Sequence, residues 1–188
     1  MRFSEAGLKG AYIIDLERRE DHRGFFARSW CQKEFEAHGL NPRVVQVNLA
    51  FTSKKGGLRG LHYQLAPYQE AKTVRCTRGA VYDIVVDLRP DSPTYKQWVA
   101  LELTVDNHRM LYVPEGCAHG YQTLVDNTEI YYQTSEFYTP DFARACAMTI
   151  QRFGSRGLCR SKAFPIPIAP GRIFQGSGLR TRRKRVER

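Results

Sequence analysis

The sequence predicts an all-β domain, a β-sandwich or a jelly roll, over residues 1–141 of its 188. Short apolar or alternating stretches recur along this part of the chain, and turn-forming residues separate them at regular intervals. Only one stretch has the pattern of a helix. Many short strands at regular spacing are typical of antiparallel sheets packed face to face, which is the basis of this fold class.

The predicted strands follow from the alternation of polar and apolar residues or from short apolar runs. Residues 43–48 alternate as a half-buried strand does, and a turn at Arg78-Gly79 separates residues 80–87 from the strand before them. The predicted strands are residues 12–16, 43–48, 73–76, 80–87, 98–103, 110–113 and 129–134. A helix is predicted at residues 32–38, because Gly39 and the pair Asn41-Pro42 close it.

The strand pattern fails from about Ala143 onward. Few large apolar residues follow, and residues 164–170 contain three prolines, which a central strand does not tolerate. We therefore divide the chain into a β-rich domain at residues 1–141 and an atypical basic tail at residues 142–188. Much of residues 152–188 is expected to be irregular or loosely attached.

The net charge of +10 comes from this tail. Residues 142–188 hold twelve of the 29 lysines and arginines but only one of the 19 acidic residues, Glu187, which leaves 17 basic and 18 acidic residues in 1–141. A nucleic-acid-binding domain spreads its basic residues over a folded face, so we expect no specific nucleic-acid partner. The basic run 180–185 is interpreted as a disordered, solvated end, with non-specific adhesion to polyanions as the alternative.

Cysteine spacing and hydropathy bear on the compartment. The five cysteines form no CxxC pair and no even framework, a pattern typical of reduced thiols in a cytoplasmic protein. No apolar run approaches the length that spans a bilayer, and the N-terminus has no signal-peptide pattern. We therefore expect a cytoplasmic protein with no membrane partner.

A group of acid–base side chains indicates an active site. The stretch LRGLHYQ at residues 58–64 places Arg59 three residues before His62, and Lys72 follows ten residues after the histidine. His119 and a set of tyrosines come later in the chain. Imidazole, ammonium, guanidinium and phenol groups move protons and hold anions. Together they predict an acid–base site for a phosphorylated substrate.

Taken singly, these residues have plainer interpretations. A lone histidine in a strand, such as His62, is usually structural, and Lys72 has the pattern of a strand lysine that faces solvent. Tyr131 and Tyr132 are neighbours in a predicted strand, and since successive side chains point to opposite faces, only one of them faces inward. The residues alone do not decide which one.

Seven stretches, in order along residues 1–141, carry a family resemblance. They are DHRGFF at 21–26, QVN at 46–48, LRGLHYQ at 58–64, KTVRC at 72–76, VDLRPDSPTY at 86–95, PEGCAHGY at 114–121 and SEFYTP at 135–140. With them the chain resembles the dTDP-4-dehydrorhamnose 3,5-epimerases and related nucleotide-sugar epimerases. The resemblance implies a cupin-type jelly roll with few short helices, a homodimer, no metal or organic cofactor, and a nucleotide-diphosphate sugar as substrate in deoxysugar biosynthesis.

The resemblance also implies roles for individual residues. His62 is the base that removes a carbon-bound proton, Lys72 stabilises the enolate, and Tyr132 is the acid at one centre; the three residue types suit these tasks. Asp83 is expected to brace a site residue. Guanidinium groups for the diphosphate, amides and aromatic rings form the expected substrate-binding set: Arg23, Phe26, Gln46, Asn48, Arg59, His119 and Tyr138.

The chain departs from the family pattern at three places. Arg28 stands where the family often has Glu, and Ala143 stands where it has an acid after the Tyr-x-Pro segment. The family also carries a late Asp that hydrogen-bonds the catalytic histidine, whereas this chain has no carboxylate between Asp141 and Glu187. Such a partner fixes the imidazole tautomer, so we predict a weak or inactive epimerase that still binds the nucleotide sugar.

A frameshift is our hypothesis for this loss. A shifted frame of codons compatible with residues 148–153 reads Asp-Asp-Pro-Ala-Phe, which looks like the family at this point. Residues 164–171 in the same frame can yield Ser-Asp-Ser-Asp-Arg-Ala-Trp, which resembles the segment with the missing aspartate. The two matches suggest a natural or sequencing frameshift that starts near Arg144, and the coding DNA decides it.

Other functions remain open at this point. A metal-dependent cupin enzyme is one alternative, since Pro114, Gly116 and His119 match half of a cupin metal motif, although Gln64 stands where the first half needs a second histidine. A catalytically dead nucleotide-sugar-binding homologue is another, favoured by the missing aspartate. A sugar ketoisomerase would share the fold and the nucleotide.

Overall fold

The computed structural model describes residues 1–147, 164–165 and 172–174. The first elements are β1 (Arg2–Glu5), β2 (Tyr12–Asp15), β3 (Arg19–Asp21), β4 (Gly24–Phe26), α1 (Gln32–Ala37), β5 (Gln46–Thr52) and β6 (Leu58–Gln64). They are followed by β7 (Lys72–Arg78), β8 (Ala80–Asp87), β9 (Trp98–Thr104), β10 (Met110–Val113) and β11 (Cys117–Thr123). The last are β12 (Thr128–Thr134), β13 (Ala143–Ala147), β14 (Phe164–Pro165) and β15 (Arg172–Phe174).

Two large sheets form the fold. A six-stranded sheet has the order β1-β2-β10-β7-β12-β5, and a seven-stranded sheet has the order β14-β13-β6-β11-β8-β9-β15. From β5 to β12 the chain passes repeatedly from one sheet to the other, so that β5, β7, β10 and β12 pair in one sheet and β6, β8, β9 and β11 in the other. This is the crossing pattern of a jelly roll and confirms the predicted fold class.

The core lies between the sheets and continues on both outer faces. Val74 on β7, Val85 on β8 and Leu101 on β9 belong to one buried cluster, each with no more than 1% of its surface exposed. Phe35 of α1 packs with Met110 of β10 in a second cluster, so that the helix covers part of the six-stranded sheet. Burying each such side chain contributes about 1.5–3 kcal/mol, and this packing fixes how the two sheets face each other.

All seven predicted strands are present, and five of them begin or end at other residues than predicted. Strand β8 matches its prediction and β10 does as well, whereas β5 begins three residues later than predicted and runs on to Thr52. The helix ends at Ala37, one residue before its predicted end. The sequence analysis missed β6 and β11 in particular, because both contain glycine, histidine and glutamine in place of an alternating apolar pattern.

The sheet extends past the predicted domain boundary at residue 141. Strand β13 pairs antiparallel with β6, and β14 pairs with β13 at one edge of the seven-stranded sheet. Strand β15 pairs with β9 at the opposite edge. The edge position of β14 agrees with the expectation that the proline-rich segment is not a central strand. The other predictions for the tail, including the hypothesis of a frameshift across residues 148–153, lie outside the described residues.

Within the part of the chain that the structure describes, α1 is the only helix, and its six residues are too few to cross a membrane.

Candidate active site

A cleft of about 810 Å³ opens between the two sheets. Strands β5, β7 and β12 of the six-stranded sheet form one wall, and β6 and β13 of the seven-stranded sheet form the other. The cleft is lined by six of the predicted site residues, Gln46, Asn48, His62, Lys72, Tyr132 and Tyr138. The structure therefore brings the three predicted catalytic residues together.

The register of the six-stranded sheet places its polar side chains on one face. Tyr132 of β12 lies opposite Asn48 of β5, and Thr134 lies opposite Lys72 of β7. Because side chains alternate along a strand, Tyr132 faces the cleft and Tyr131 faces the outer surface of the sheet. The structure thus resolves the choice between the two tyrosines in favour of Tyr132.

His62 projects from the opposite wall. It lies directly across from His119 on β11 and from Ala145 on β13, and its side chain is exposed to the cleft. Partial desolvation by the surrounding protein lowers the pKa of His62, and the positive charge of Lys72 lowers it further. A neutral imidazole is the form that accepts a proton, so the surroundings suit His62 to act as a base.

Two glycines hold this register. Gly60 has φ +99°, and a Cβ there would lie 2.6 Å from both the Cα of Gly120 and the carbonyl oxygen of His119. A Cβ on Gly120 would in turn lie 2.5 Å from the carbonyl oxygen of Arg59. Only glycine permits this approach and this backbone conformation. The pair lets β6 and β11 come together where the register shifts, next to His62 and His119.

His119 is buried and does not line the cleft. Its Nε2 lies 2.9 Å and 3.0 Å from the two carboxylate oxygens of Asp83 on β8, which is fully buried. Asp83 thus holds His119, and its expected role in bracing a site residue stays a prediction. The predicted contact of His119 with substrate or enolate stays a prediction, since its side chain lies on the same face of the sheet as His62 but does not line the cleft.

Lys72 is paired rather than free. Its Nζ lies 2.9 Å from Oε1 of Glu70, and the two side chains are only 11% and 10% exposed. The interpretation of Lys72 as a strand lysine facing solvent is therefore wrong. The pairing of Lys72 with Glu70 was not predicted from the sequence.

The surroundings of Tyr132 keep its phenol protonated. Burial raises its pKa, and the negative charge of Glu70 raises it further. Tyr132 also packs against the core between the sheets. A protonated phenol that faces the cleft is a suitable proton donor.

Two glutamines fix the loop that carries Tyr138. Gln46 accepts a hydrogen bond from the backbone N–H of Tyr138 at 2.6 Å. The side-chain oxygen of Gln64 accepts from the N–H of Thr139 at 2.6 Å, and its nitrogen donates to the carbonyls of Tyr68 and Phe137. Gln46 therefore positions a loop as well as lining the cleft.

These contacts also bear on the metal-dependent alternative. The amide oxygen of Gln64, the atom that would bind a cation, is already an acceptor, and Nε2 of His119 is held by Asp83. This donor set does not suit a transition metal. In residues 1–147 and the two short terminal strands, no three His, Cys, Asp or Glu side chains come together as a metal-binding group.

Besides His119, three predicted substrate-binding residues do not line the cleft. Arg23 sits in the β3–β4 turn, pairs with Asp21 and is 77% exposed, and Phe26 is 73% exposed. Arg59 reaches across to β5, where its guanidinium donates to Thr52 and to the carbonyl of Phe51. Arg144 of β13 does line the cleft and was not assigned from the sequence, which singled out only its neighbour Ala143.

The packed antiparallel sheets define a cupin-type jelly roll. Its cleft has an imidazole on one wall and an ammonium and a phenol on the other, groups that suit acid–base chemistry. A family model described as dTDP-4-dehydrorhamnose 3,5-epimerase matches residues 5–155. The chain belongs to the dTDP-4-dehydrorhamnose 3,5-epimerase family.

Individual relatives agree with this assignment. The chain is 50% identical over 120 residues to the dTDP-4-dehydrorhamnose 3,5-epimerase of Shigella flexneri, a match that covers 63% of this chain and 66%, slightly less than two thirds, of that protein. The crystal structure of the Elizabethkingia anophelis enzyme of the same name has a TM-score of 0.76 at 37% identity, covering 78% of this chain and 80% of that one. The Bacillus anthracis enzyme, crystallised with TDP and PPi bound, has a TM-score of 0.75 at 35% identity and covers 92% and 94%.

Proposed function

We propose that this protein epimerises a dTDP-4-keto-6-deoxyhexose at C3, at C5 or at both, in deoxysugar biosynthesis of the rhamnose type. The observation that carries the proposal is the placement of His62 and Tyr132 on opposite walls of one cleft, with Lys72 beside the tyrosine. The names of the relatives supply the substrate class, and the TDP bound to the Bacillus anthracis enzyme supports a nucleotide sugar.

The proposed reaction moves one proton at a time. His62 takes the proton from the carbon next to the ketone, and the electron pair of that C–H bond moves onto the carbonyl oxygen to give an enolate. The Lys72 ammonium stabilises the enolate oxygen. Tyr132 then returns a proton to the same carbon from the opposite wall, which inverts the centre, and proton exchange with water restores both residues.

Substrate binding is proposed to use the polar and aromatic lining of the cleft. Asn48 and Tyr138 face the space beside the catalytic residues. The diphosphate needs cations, and Arg59 and Arg144 are the guanidinium groups on the strands of the His62 wall. Among the described residues, Arg144 donates from Nη1 to the backbone carbonyl oxygens of Asp141 and Ala143, and its other donors are proposed to bind a ligand.

A homodimer is part of the proposal. Strand β5 is the edge of the six-stranded sheet, and its outward side chains Val47, Leu49 and Phe51 are 50%, 63% and 47% exposed. An exposed apolar stripe on an edge strand is typical of a surface that another chain covers. Arg23 and Phe26, which lie outside the cleft of their own copy, are proposed to bind substrate in the cleft of the second copy.

Reduced activity follows from the surroundings of His62. The ring has no hydrogen-bonding partner in the described residues, and beyond residue 147 the sequence offers Glu187 as its only carboxylate. In serine proteases, loss of the carboxylate that orients the catalytic histidine lowers the rate by about 10⁴. We therefore propose a slow epimerase, and the same observation favours a non-catalytic nucleotide-sugar-binding protein as the second candidate.

A cytoplasmic location is also proposed. The cysteines Cys31, Cys76, Cys117 and Cys146 are free thiols in the described structure, as a reducing compartment permits. Cys159 lies outside the described residues.

Deuterium exchange tests the function. The protein is incubated in heavy water with dTDP-4-keto-6-deoxyglucose, and NMR follows incorporation at C3 and C5, with His62→Ala as control. Exchange in the native protein that disappears in the variant is the expected result. Measurable dTDP binding without any exchange would overturn the catalytic proposal and leave the binding protein.

A further inference from the structure

Glu70 occupies an unusual place for a carboxylate. It lies in the loop between β6 and β7, and its side chain is 10% exposed. Of the described residues that line the cleft, Glu70 is the only one with a carboxylate. Shielding a charged group from water costs free energy unless the group is paired. The ion pair with Lys72, with 2.9 Å between Nζ and Oε1, offsets that cost.

The negative charge of Glu70 acts on His62, the proposed base, and on Tyr132, the proposed acid, as well as on Lys72. It raises the pKa of His62 and the pKa of Tyr132. The cations Lys72 on β7 and Arg59 on β6 lower the pKa of His62, and His119 on β11 acts in the same direction. Strand β13 presents the uncharged Ala145 directly opposite the ring. Glu70 is thus the negative charge that opposes these cations.

The Lys72–Glu70 pair affects how easily His62 becomes protonated during the proposed proton transfer. Before the reaction the ammonium of Lys72 and the carboxylate of Glu70 cancel, and the ketone and the imidazole are neutral. After transfer the cleft holds an enolate and an imidazolium in addition, and the sum is unchanged. Without the charge of Glu70 the Lys72–Glu70 pair would carry one net positive charge, and Coulomb repulsion in a partly desolvated cleft would disfavour the formation of an imidazolium near it.

We propose that Glu70 is a positioning residue that holds the Lys72 ammonium in the cleft and supplies the negative charge for the protonated state of His62, in the place of a carboxylate bonded to the imidazole. The inference rests on the proposed epimerase function. It assigns Glu70 no contact with the reacting carbon and no proton transfer of its own.

The test compares Glu70→Gln with Glu70→Asp, which retains the charge, and with Glu102→Gln, which removes a charge from an exposed position on β9. For Glu70→Gln we expect kcat for deuterium exchange to fall by about tenfold or more, equivalent to about 1.4 kcal/mol in the barrier. The affinity of Glu70→Gln for dTDP is expected to stay within about twofold of the native value, since nucleotide binding is not proposed to use the Glu70–Lys72 pair. Glu70→Asp should recover most of the rate, and Glu102→Gln should match the native protein.

An NMR titration of the His62 ring gives a readout that needs no turnover. The pKa of His62 should fall in Glu70→Gln, because the carboxylate raises it in the native protein, and should return toward the native value in Glu70→Asp. An unchanged His62 titration in Glu70→Gln would overturn the inference, as would a loss of rate that Glu70→Asp does not recover. If the native protein shows no exchange, the proposed function fails, and the titration still decides the role of Glu70.

Discussion

His62 and His119 occupy directly opposed positions on β6 and β11, yet they are supported in different ways. His119 is buried with its Nε2 2.9 Å from Asp83, whereas the ring of His62 faces the cleft. In the described part of the chain no side chain or backbone group hydrogen-bonds to the ring of His62. The buried histidine is therefore fixed by its partner, and the histidine assigned as base depends on charges acting at longer range.

A carboxylate placed opposite His62 should increase its activity. Ala145 faces His62 across the β13–β6 ladder, where Cβ atoms of paired residues lie about 4.5–5.5 Å apart. In Ala145→Asp we expect exchange to rise by about tenfold or more, because a carboxylate orients the ring and stabilises the imidazolium. Ala143→Asp, two residues away on the same strand and opposite Gln64, is the matched control. Equal rates in the two variants would argue against a missing partner as the cause of slow turnover.

The pH dependence of kcat/KM should show His62 as a group that must be neutral. Desolvation and the charge of Lys72 lower the pKa of His62 from its ordinary value of 6.5. The rate should therefore rise with pH through a midpoint below 6.5 and be lost on the acid side. A pH–rate profile with the dTDP-sugar measures it, and a midpoint above 6.5 would contradict the arrangement of charges described for the cleft.

Replacing Tyr132 by phenylalanine should separate proton removal from proton return. His62 stays intact, so exchange of the substrate proton should continue, but inversion at the centre that Tyr132 serves should fall by about 10²-fold or more. Tyr131→Phe, on the opposite face of the same strand, is the control and should behave as the native protein. NMR of the products distinguishes exchange with retention from epimerisation. Loss of both processes in Tyr132→Phe would show that the two steps do not divide between these residues.

Gly60→Ala should destabilise the fold more than an alanine at another left-handed glycine. At Gly60 the new Cβ meets backbone at 2.6 Å, while at Gly39, with φ +69°, nothing lies within 4 Å. We expect Gly39→Ala to cost about 1 kcal/mol of unfolding free energy and Gly60→Ala about 2–4 kcal/mol. Urea denaturation followed by circular dichroism measures both. Equal losses would mean that the β6–β11 approach adjusts without strain.

Asp83→Asn tests whether the buried pair with His119 supports the fold. Both side chains are shielded from water, so weakening their contact should lower the unfolding free energy by about 1–3 kcal/mol. Asp91→Asn, in an exposed turn, is the matched control and should leave stability unchanged. The same denaturation experiment applies, and native stability in Asp83→Asn would refute a structural role for the pair.

The strands that could be predicted from the sequence are those in which the buried residues are also the apolar ones. Strand β8 was found from sequence because Val81, Val85 and Val86 are apolar and buried. Strand β6 was missed because its residues serve the cleft and the approach to Gly120, so that glycine, histidine and glutamine replace an apolar pattern.

The candidate site divides in the same way. The family motifs led to His62, Lys72 and Tyr132, and strand alternation limited the choice between the two tyrosines. The pairing of Glu70 with Lys72 depends on how a loop folds back onto the cleft, which no periodicity encodes. The exposed positions of Arg23 and Phe26 depend on the path of a hairpin, and sequence alone does not place a hairpin relative to a cleft.

The glutamine contacts to the loop of Tyr138 have a thermodynamic consequence. Gln46 and Gln64 hold the backbone of Tyr138 and Thr139 before any ligand arrives. A segment that is already ordered loses little conformational entropy when a ligand binds. The cleft is thus pre-organised on this side, and the free energy of ligand association is not spent on ordering this loop.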